Sequence, residues 1–244
     1  MPMRLKSWLE VASDLLFPPV CLSCGGLCEG SELRHVCARC EPLIVRVREP
    51  VCTTCGHPFF GDVDGERMCP HCEGLKPAYR RAKTATLFKG PARELVLSLK
   101  YRDGLFALRD MKTIVAANDE MRAFLDDAVL VPVPLHPRKW RERGFNQSLL
   151  LARELASLGG PECRVEELLI RTKDTESQTA FDRRRRRQRM KNAFAPRKGA
   201  AITPELRYVL VDDVFTTGST LNACAHALRD AGGVMVDVVT FGHG

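Results

Sequence analysis

Val209-Leu-Val-Asp-Asp-Val-Phe-Thr-Thr-Gly-Ser-Thr220 is the stretch on which the reading of this 244-residue chain turns. With Tyr208 in front it supplies four apolar residues in a row, Tyr208-Val-Leu-Val211, as a central strand of a parallel sheet requires. Asp212 and Asp213 then fall at the strand's carboxyl end, where open α/β sheets bind their ligands. The small-residue loop Thr216 to Thr220 leads into a helix predicted over Ser219 to Asp230, so its amides and the helix dipole form an anion cradle. Thr216, Thr217, Ser219 and Thr220 add hydroxyl donors, and Gly218 lets the backbone approach a phosphate. Adjacent acids beside such a cradle repel its ligand unless they grip hydroxyls or a metal. A ribose diol with Mg²⁺ close by meets that requirement. The competing reading is an ordinary strand-turn-helix with capping Ser and Thr, but it leaves the paired acids unexplained.

Working outward, strand and helix patterns alternate. Thr84 to Phe88 reads as a strand ended by Gly90-Pro91, Ala92 to Leu99 as a helix, and Leu105 to Leu125 as a helical region after a break at Asp103-Gly104. Ala128-Val-Leu-Val-Pro-Val-Pro134 reads as a buried strand whose prolines set it near an edge or near the strand's end. Residues 135–145 read as a basic loop, Asn146 to Leu158 as a helix stopped by Gly159-Gly160, Glu167 to Arg171 as a strand, and Val234 to Phe241 as a final strand. The alternation predicts an α/β fold with a mostly parallel sheet flanked by helices.

Ahead of that region the cysteines are concentrated. Nine of the eleven precede Ala78, and eight of these form four C-x-x-C pairs, Cys21/Cys24, Cys37/Cys40, Cys52/Cys55 and Cys69/Cys72. Two such pairs supply the four thiolates of a tetrahedral zinc site. Twelve residues separate Cys24 from Cys37 and thirteen separate Cys55 from Cys69, an internal repeat that reads as two zinc ribbons in tandem. Sequential pairing places the first four cysteines on one ion and the last four on another; interleaved pairing stays open. Cys28, His35, His57 and His71 read as bystanders. Sites of this kind are structural and contribute about 10–16 kcal/mol to the folding of small modules. A disulfide framework needs an export signal, and a redox dithiol needs one C-x-x-C rather than four.

With 37 Lys and Arg against 30 Asp and Glu, 27% charged and 45% hydrophobic residues, the chain has globular rather than disordered composition. No stretch reads as a membrane span. Residues 1–17 have helical spacing, but Glu10 and Asp14 interrupt any signal-peptide core, so a cytoplasmic protein is expected. The net charge of +7 is uneven. Segment 171–198 holds eleven basic and three acidic residues, including Arg183 to Arg187, and segment 138–143 holds Arg138, Lys139, Arg141 and Arg143 against Glu142. These two segments carry an anion-seeking field, and the remainder is slightly acidic. Trp140 is the best stacking candidate beside them; Phe145 and Phe194 read as packing residues.

The Val209–Thr220 segment resembles the binding motif of type I phosphoribosyltransferases, which recognise 5-phosphoribosyl 1-pyrophosphate. The resemblance implies that Asp212 and Asp213 hold the ribose 2′ and 3′ hydroxyls, and that Thr216, Thr217, Gly218, Ser219 and Thr220 hold the 5-phosphate. Four C-x-x-C pairs ahead of such a domain, Pro137-Arg-Lys-Trp-Arg-Glu-Arg-Gly-Phe-Asn-Gln147, Arg171-Thr172, Gln178 and Lys191-Asn-Ala-Phe194 together resemble the ComF family of competence protein F-like or GntX-like proteins. That resemblance runs from Phe17-Pro-Pro-Val-Cys21 to the final strand. It implies a helix and double zinc ribbon over 1–77 and a phosphoribosyltransferase-like domain over 78–244. In the type I enzymes a loop after an early strand binds pyrophosphate; Arg138, Lys139, Arg141 and Arg143 stand at that position. A mobile basic loop covers the sugar, and Arg171, Lys173, Gln178, Arg184 and Arg187 are its candidates here. Lys100, in Leu99-Lys-Tyr101, also resembles a family position.

Phosphoribosyl transfer breaks the bond between ribose C1 and pyrophosphate, while Mg²⁺ and arginines stabilise the charge growing on the leaving group. No segment identifies itself as an acceptor site, no catalytic residue stands out, and His136 reads as a loop residue. Three readings follow. One is a protein that binds phosphoribosyl pyrophosphate or a related sugar phosphate and handles single-stranded DNA during uptake in natural transformation. The second is an active phosphoribosyltransferase on an unknown acceptor in nucleotide metabolism. The third is a zinc-ribbon scaffold docking a DNA-uptake helicase. Expected cofactors are two structural zinc ions, with magnesium accompanying the sugar pyrophosphate.

Overall fold

In the computed structural model, which describes residues 18–61, 65, 67–101, 104–172 and 193–244, strands alternate with helices from Ala82 onward. The strands are β1 (Ala82–Leu87), β2 (Ala128–Pro132), β3 (Arg164–Val165), β4 (Leu169–Arg171), β5 (Phe194–Pro196), β6 (Arg207–Phe215) and β7 (Met235–His243). The helices are α1 (Gly90–Tyr101), α2 (Ala107–Ala116), α3 (Asp119–Leu125), α4 (Pro137–Arg143), α5 (Gln147–Ala156) and α6 (Ser219–Asp230). The helix expected over 1–17 and the residues Lys173, Gln178, Arg183 to Arg187, and Lys191 lie outside the described residues.

Five strands form one sheet in the order β1-β7-β6-β2-β3, with every neighbouring pair parallel. β4 and β5 form a separate antiparallel pair. This is the α/β architecture expected, with differences of detail. β2 lies inside the sheet, and its prolines mark the strand's end, where Val133 N–H still reaches Val211 O at 3.0 Å. β3 was not foreseen: two residues carry no periodicity. The region Leu105 to Leu125 is two helices, because Asn118 stops one and caps the next by accepting from Met121 N–H at 3.2 Å. Residues 137–143 form α4 where a loop was expected. His136 caps that helix through its ring, Pro137 presets the first helical φ, and Gly144 ends it at φ 76°.

Strand alternation divides the interior into two cores. Leu130, Val209, Val211, Val239 and Phe241 pack beneath α1, α2, α3 and α5, whereas Val129, Val131, Tyr208, Leu210, Val236 and Val238 pack against α6 and the β4–β5 pair. The cysteine module divides along the same line. Cys21, Cys37 and Cys40 join the first core; Cys52, Cys55, Cys69 and Cys72 join the second. The chain between them runs along the outer edge of β1, where Val47 N–H donates to Ala85 O and Leu87 N–H to Val45 O, both at 2.9 Å. At Gly56 (φ +72°) a Cβ would lie 2.8 Å from Ala82 O, so glycine sets how closely the second ribbon seats on β1.

Two buried carboxylates fasten these pieces. Asp237, with no exposed surface, accepts from Arg80 Nε and Nη2 at 3.0 and 2.6 Å and from Arg207 Nη1 at 3.4 Å, near the amino edge of the sheet. Asp110 on α2 accepts from the backbone N–H groups of Arg34 and His35 at 2.8 and 2.7 Å, tying the first ribbon to the helical layer. Asp110→Ala orphans both donors, each at a cost of about 1–3 kcal/mol. The expected outcome is a lower urea midpoint for Asp110→Ala than for Asp110→Asn, which retains an acceptor; equal midpoints would contradict the anchoring role.

Candidate functional site

The carboxyl ends of β1, β7, β6 and β2 share one edge of the sheet, and Asp212 and Asp213 stand at that end of β6. Each has its own support. Lys100 Nζ, from the last turn of α1, is 2.8 Å from Asp213 Oδ1, and both side chains are largely buried. Ser148 Oγ, from the first turn of α5, donates to Asp212 Oδ1 at 2.9 Å, and Asp213 N–H donates to the same oxygen at 2.9 Å. Ser148 is placed by Asn146, whose side chain accepts from Ser148 N–H and donates to Val133 O at the end of β2, each at 3.1 Å. Burial first, and then the charge of Asp213, push the Asp212 carboxyl up to about 7, against the pull of Lys100 and the Ser148 hydroxyl. Asp213 Oδ2 is buried without a hydrogen-bond partner.

The loop after the acids has the shape its residues imply. Gly218 adopts φ 67°, ψ 0° immediately before α6, and a Cβ there would lie 2.6 Å from Phe215 Cζ, so conformation and space both require glycine. As the N-cap residue it brings no side chain to occupy the first-turn amides of α6. Thr217 Oγ1 and Ser219 Oγ are 3.0 Å apart, and Thr216 is exposed. Hydroxyls and helix-start amides therefore gather between three and seven residues after Asp213, with Ser219 N–H donating to Thr217 Oγ1 at 3.5 Å.

The basic candidates divide. Arg138, Lys139, Arg141 and Arg143 all lie on α4, directly after the carboxyl end of β2. Arg138 Nε contacts Glu142 Oε1 at 3.1 Å; Arg143 contacts Gln147 Oε1 at 3.0 Å and lies 5.1 Å above the Tyr101 ring. Trp140 is 54% exposed on the same helix, whereas Phe194 is buried and Phe145 packs against the first core. Arg171 lies 5.6 Å over Phe194 where β4 and β5 pair. Lys173, Arg184 and Arg187 fall in the segment between those strands, outside the described residues.

The eight cysteines gather sequentially, Cys21, Cys24, Cys37 and Cys40 in one cluster and Cys52, Cys55, Cys69 and Cys72 in the other, with sulfurs within 4.8 Å of one another. The Cys24–Cys37 and Cys55–Cys69 sulfurs are 3.7 Å apart, close to the roughly 3.8 Å edge of a tetrahedron with Zn–S bonds of about 2.3 Å. Cys37 N–H donates to Cys21 Sγ at 3.4 Å and Cys69 N–H to Cys52 Sγ at 3.2 Å, as thiolate ligands favour. Burial pushes Cys40 and Cys72 each up to about 12, so four thiolates can share each cluster only around a dication. The donor sets thus suit two structural zinc ions. Cys28, His35, His57 and His71 stand outside both clusters.

The second ribbon does more than bind metal. Between it and the carboxyl edge of the sheet lies a cavity of about 710 Å³, walled by His57, Phe60 and His71 on one side and by Phe215, Thr216 and His243 on the other. Asp212 and Asp213 are not among its lining; Thr216 and Thr217 join it to the loop. His243 is stacked on Phe215, with centroids 5.1 Å apart, and meets His57 edge-on at 4.9 Å. Burial, then neighbouring His57, lower its pKa to about 4, so its ring is neutral at pH 7. Sequence reading missed Ser148, His243 and this cavity. An asparagine opening α5 was the only local signal for Ser148, and nothing local marks the other two.

Residues 12–73 match the double zinc ribbon domain family. The chain is 30% identical to competence protein F of Haemophilus influenzae over 80% of its length and 91% of that protein's. It is 32% identical to the DNA utilization protein YhgH of Salmonella typhimurium, covering 90% of this chain and 91% of the relative. Competence protein ComFC of Bacillus subtilis is 26% identical over 81% of this chain and 79% of its own. No helix among the described residues is long and apolar enough to cross a membrane.

The raised Asp212 carboxyl has a measurable signature. A folded-state pKa of about 7 against an ordinary value of 3.8 means the folded protein holds this proton more tightly than the unfolded chain. This group's contribution to stability is full at low pH and declines as pH rises between those values. Asp212→Asn removes the penalty and keeps an oxygen for Ser148. The variant is expected to melt above the wild type at about pH 8, with the difference shrinking toward about pH 5; scanning calorimetry at both checks it.

Proposed function

The chain belongs to the ComF family, and from that premise we propose that it binds phosphoribosyl pyrophosphate, or a sugar phosphate like it, and works on single-stranded DNA during its uptake. The observation that carries the sugar-phosphate reading is the juxtaposition at the end of β6. Two acids with their own buried supports stand just before a loop opened by Gly218 and the start of a twelve-residue helix whose N-cap carries no side chain. A 5-phosphate suits the amides and hydroxyls of Thr216 to Thr220; the ribose hydroxyls suit Asp212 and Asp213, whose Oδ2 is still without a donor. Lys100 fixes the position of Asp213, and Ser148 does the same for Asp212. Magnesium would enter with the pyrophosphate, whose charged oxygens the basic residues of α4 suit.

The DNA part of the reading draws on the relatives, whose names record competence and DNA utilization. On this chain, α4 offers four basic residues and an exposed Trp140 in two helical turns, a charged surface with a stacking face. Arg183 to Arg187 add to the charge.

Two measurements test these proposals. Calorimetric titration with phosphoribosyl pyrophosphate and Mg²⁺ is expected to give binding heat for the wild type and none for Asp212→Ala/Asp213→Ala; equal heats would end the sugar-phosphate assignment. For DNA, each neutralised phosphate adds about −0.7 to the slope of log affinity against log salt for single strands. Replacing Arg183 to Arg187 with Gln is expected to flatten that slope, and an unchanged slope would remove the arginine run from the interface.

A further inference from the structure

We infer that phosphoribosyl pyrophosphate and single-stranded DNA exclude one another on this protein, because both draw on the single basic helix α4, and that the sugar pyrophosphate thereby acts as a release signal for bound DNA. The inference rests on the sugar-phosphate and DNA readings above and adds a regulation that neither contains. α4 follows directly from the end of β2, and Pro132 of β2 is paired with Val211 of β6, the residue before Asp212. Its last turn is tied to the supports of both acids. Arg143 lies 5.1 Å above the ring of Tyr101, the neighbour of Lys100, whose Nζ is 2.8 Å from Asp213 Oδ1. On the other side, Arg143 Nη1 donates to Gln147 Oε1 at 3.0 Å, and Gln147 precedes Ser148, whose hydroxyl donates to Asp212. A ribose on the acids therefore has α4 as a neighbouring source of cations for its pyrophosphate.

The same helix carries the surface that suits a single strand. Arg138, Trp140 and Arg141 are exposed, and Tyr101 beneath Arg143 is 69% exposed, so two aromatic faces stand among the cations. At about 1.5 Å per residue, this short helix is about 10 Å long. It cannot offer one set of cations to a pyrophosphate and a second set to a DNA backbone. The acid pair then decides which ligand gains more. A DNA strand has no 2′ hydroxyl and its internal 3′ oxygens are esterified, so it has nothing to donate to Asp212 and Asp213. Phosphoribosyl pyrophosphate carries the diol that those carboxylates accept. DNA thus engages α4 without the acids, whereas the sugar pyrophosphate engages α4 and the acids together and displaces the strand.

The experiment uses the full chain with its zinc retained. Fluorescence anisotropy of a labelled oligothymidylate reads the DNA affinity at constant Mg²⁺ and ionic strength, alone, with phosphoribosyl pyrophosphate and with ribose 5-phosphate. Phosphoribosyl pyrophosphate at about ten times its own calorimetric Kd is expected to weaken DNA binding about tenfold, and further as its concentration rises. Ribose 5-phosphate, which lacks the pyrophosphate, is expected to leave DNA affinity unchanged; equal displacement by it would put the overlap at the acids rather than on α4 and overturn the inference. Lys139→Gln/Arg141→Gln is expected to weaken both ligands severalfold, and loss of one with the other intact would reveal two separate surfaces and overturn it too. In Asp212→Ala/Asp213→Ala the effect of phosphoribosyl pyrophosphate on DNA is expected to vanish. Thr217→Asp, which sets a carboxylate in the phosphate loop, serves if that variant fails to fold. If both ligands bind and DNA affinity is the same with and without phosphoribosyl pyrophosphate, the inference is overturned and the sugar-phosphate reading stands. If calorimetry shows no binding of phosphoribosyl pyrophosphate, that reading fails and the inference with it; if the oligothymidylate does not bind, the DNA reading fails and the inference likewise.

Discussion

Two neighbouring carboxylates at the end of a buried strand repel each other, and much of the molecule is arranged around that repulsion. Lys100 neutralises Asp213 from α1, and Ser148 and a backbone amide share Asp212 Oδ1. Both supports come from helices of the layer that the first zinc ribbon also packs against. The Lys100–Asp213 pair is nearly enclosed, so either partner alone would be a buried uncompensated charge. That dependence fixes α1 against β6, while burial first and then the charge of Asp213 oppose the ionisation of Asp212. The site is costly to the fold at the edge where ligands bind, whereas at the opposite edge Asp237 is held by two arginines.

The zinc ribbons solve a problem of cover. A five-stranded parallel sheet needs both faces buried, yet the sequence supplies unequal helices, four on one side and α6 with the β4–β5 pair on the other. One ribbon completes each side. Because four cysteines of the second ribbon are themselves part of the core, metal and packing form one cooperative unit. The same ribbon forms one wall of the cavity above the sheet edge, so metal occupancy also shapes the ligand-facing surface.

The strongest local patterns were legible before any coordinates. Four apolar residues followed by two acids and a Thr-Thr-Gly-Ser-Thr turn specify a strand, its loop and the helix beyond, and the C-x-x-C spacing specifies two metal clusters. What stayed hidden was tertiary. Nothing near Lys100 records that its amine meets Asp213, since 112 residues of chain intervene. His243 takes its meaning from Phe215 and His57, on a different strand and a different module. Residues 137–143 looked like a loop because their charges show no apolar stripe; a cap, a proline and a left-handed glycine make the helix without one. A ribbon that closes a cavity against a distant sheet leaves no period or motif to read.

The strip formed by Val45, Arg46 and Val47 has an implication for anyone who would trim the molecule. These residues occupy the hydrogen-bonding side of β1 that faces away from the sheet, and at the far end the border strand β3 is only two residues long. A fragment beginning at Ala78 would bare the long border and offer it to any extended segment nearby, its own copies first. The cysteine-rich module thus also acts as a guard against self-association, one that a shortened recombinant product would reveal by clumping.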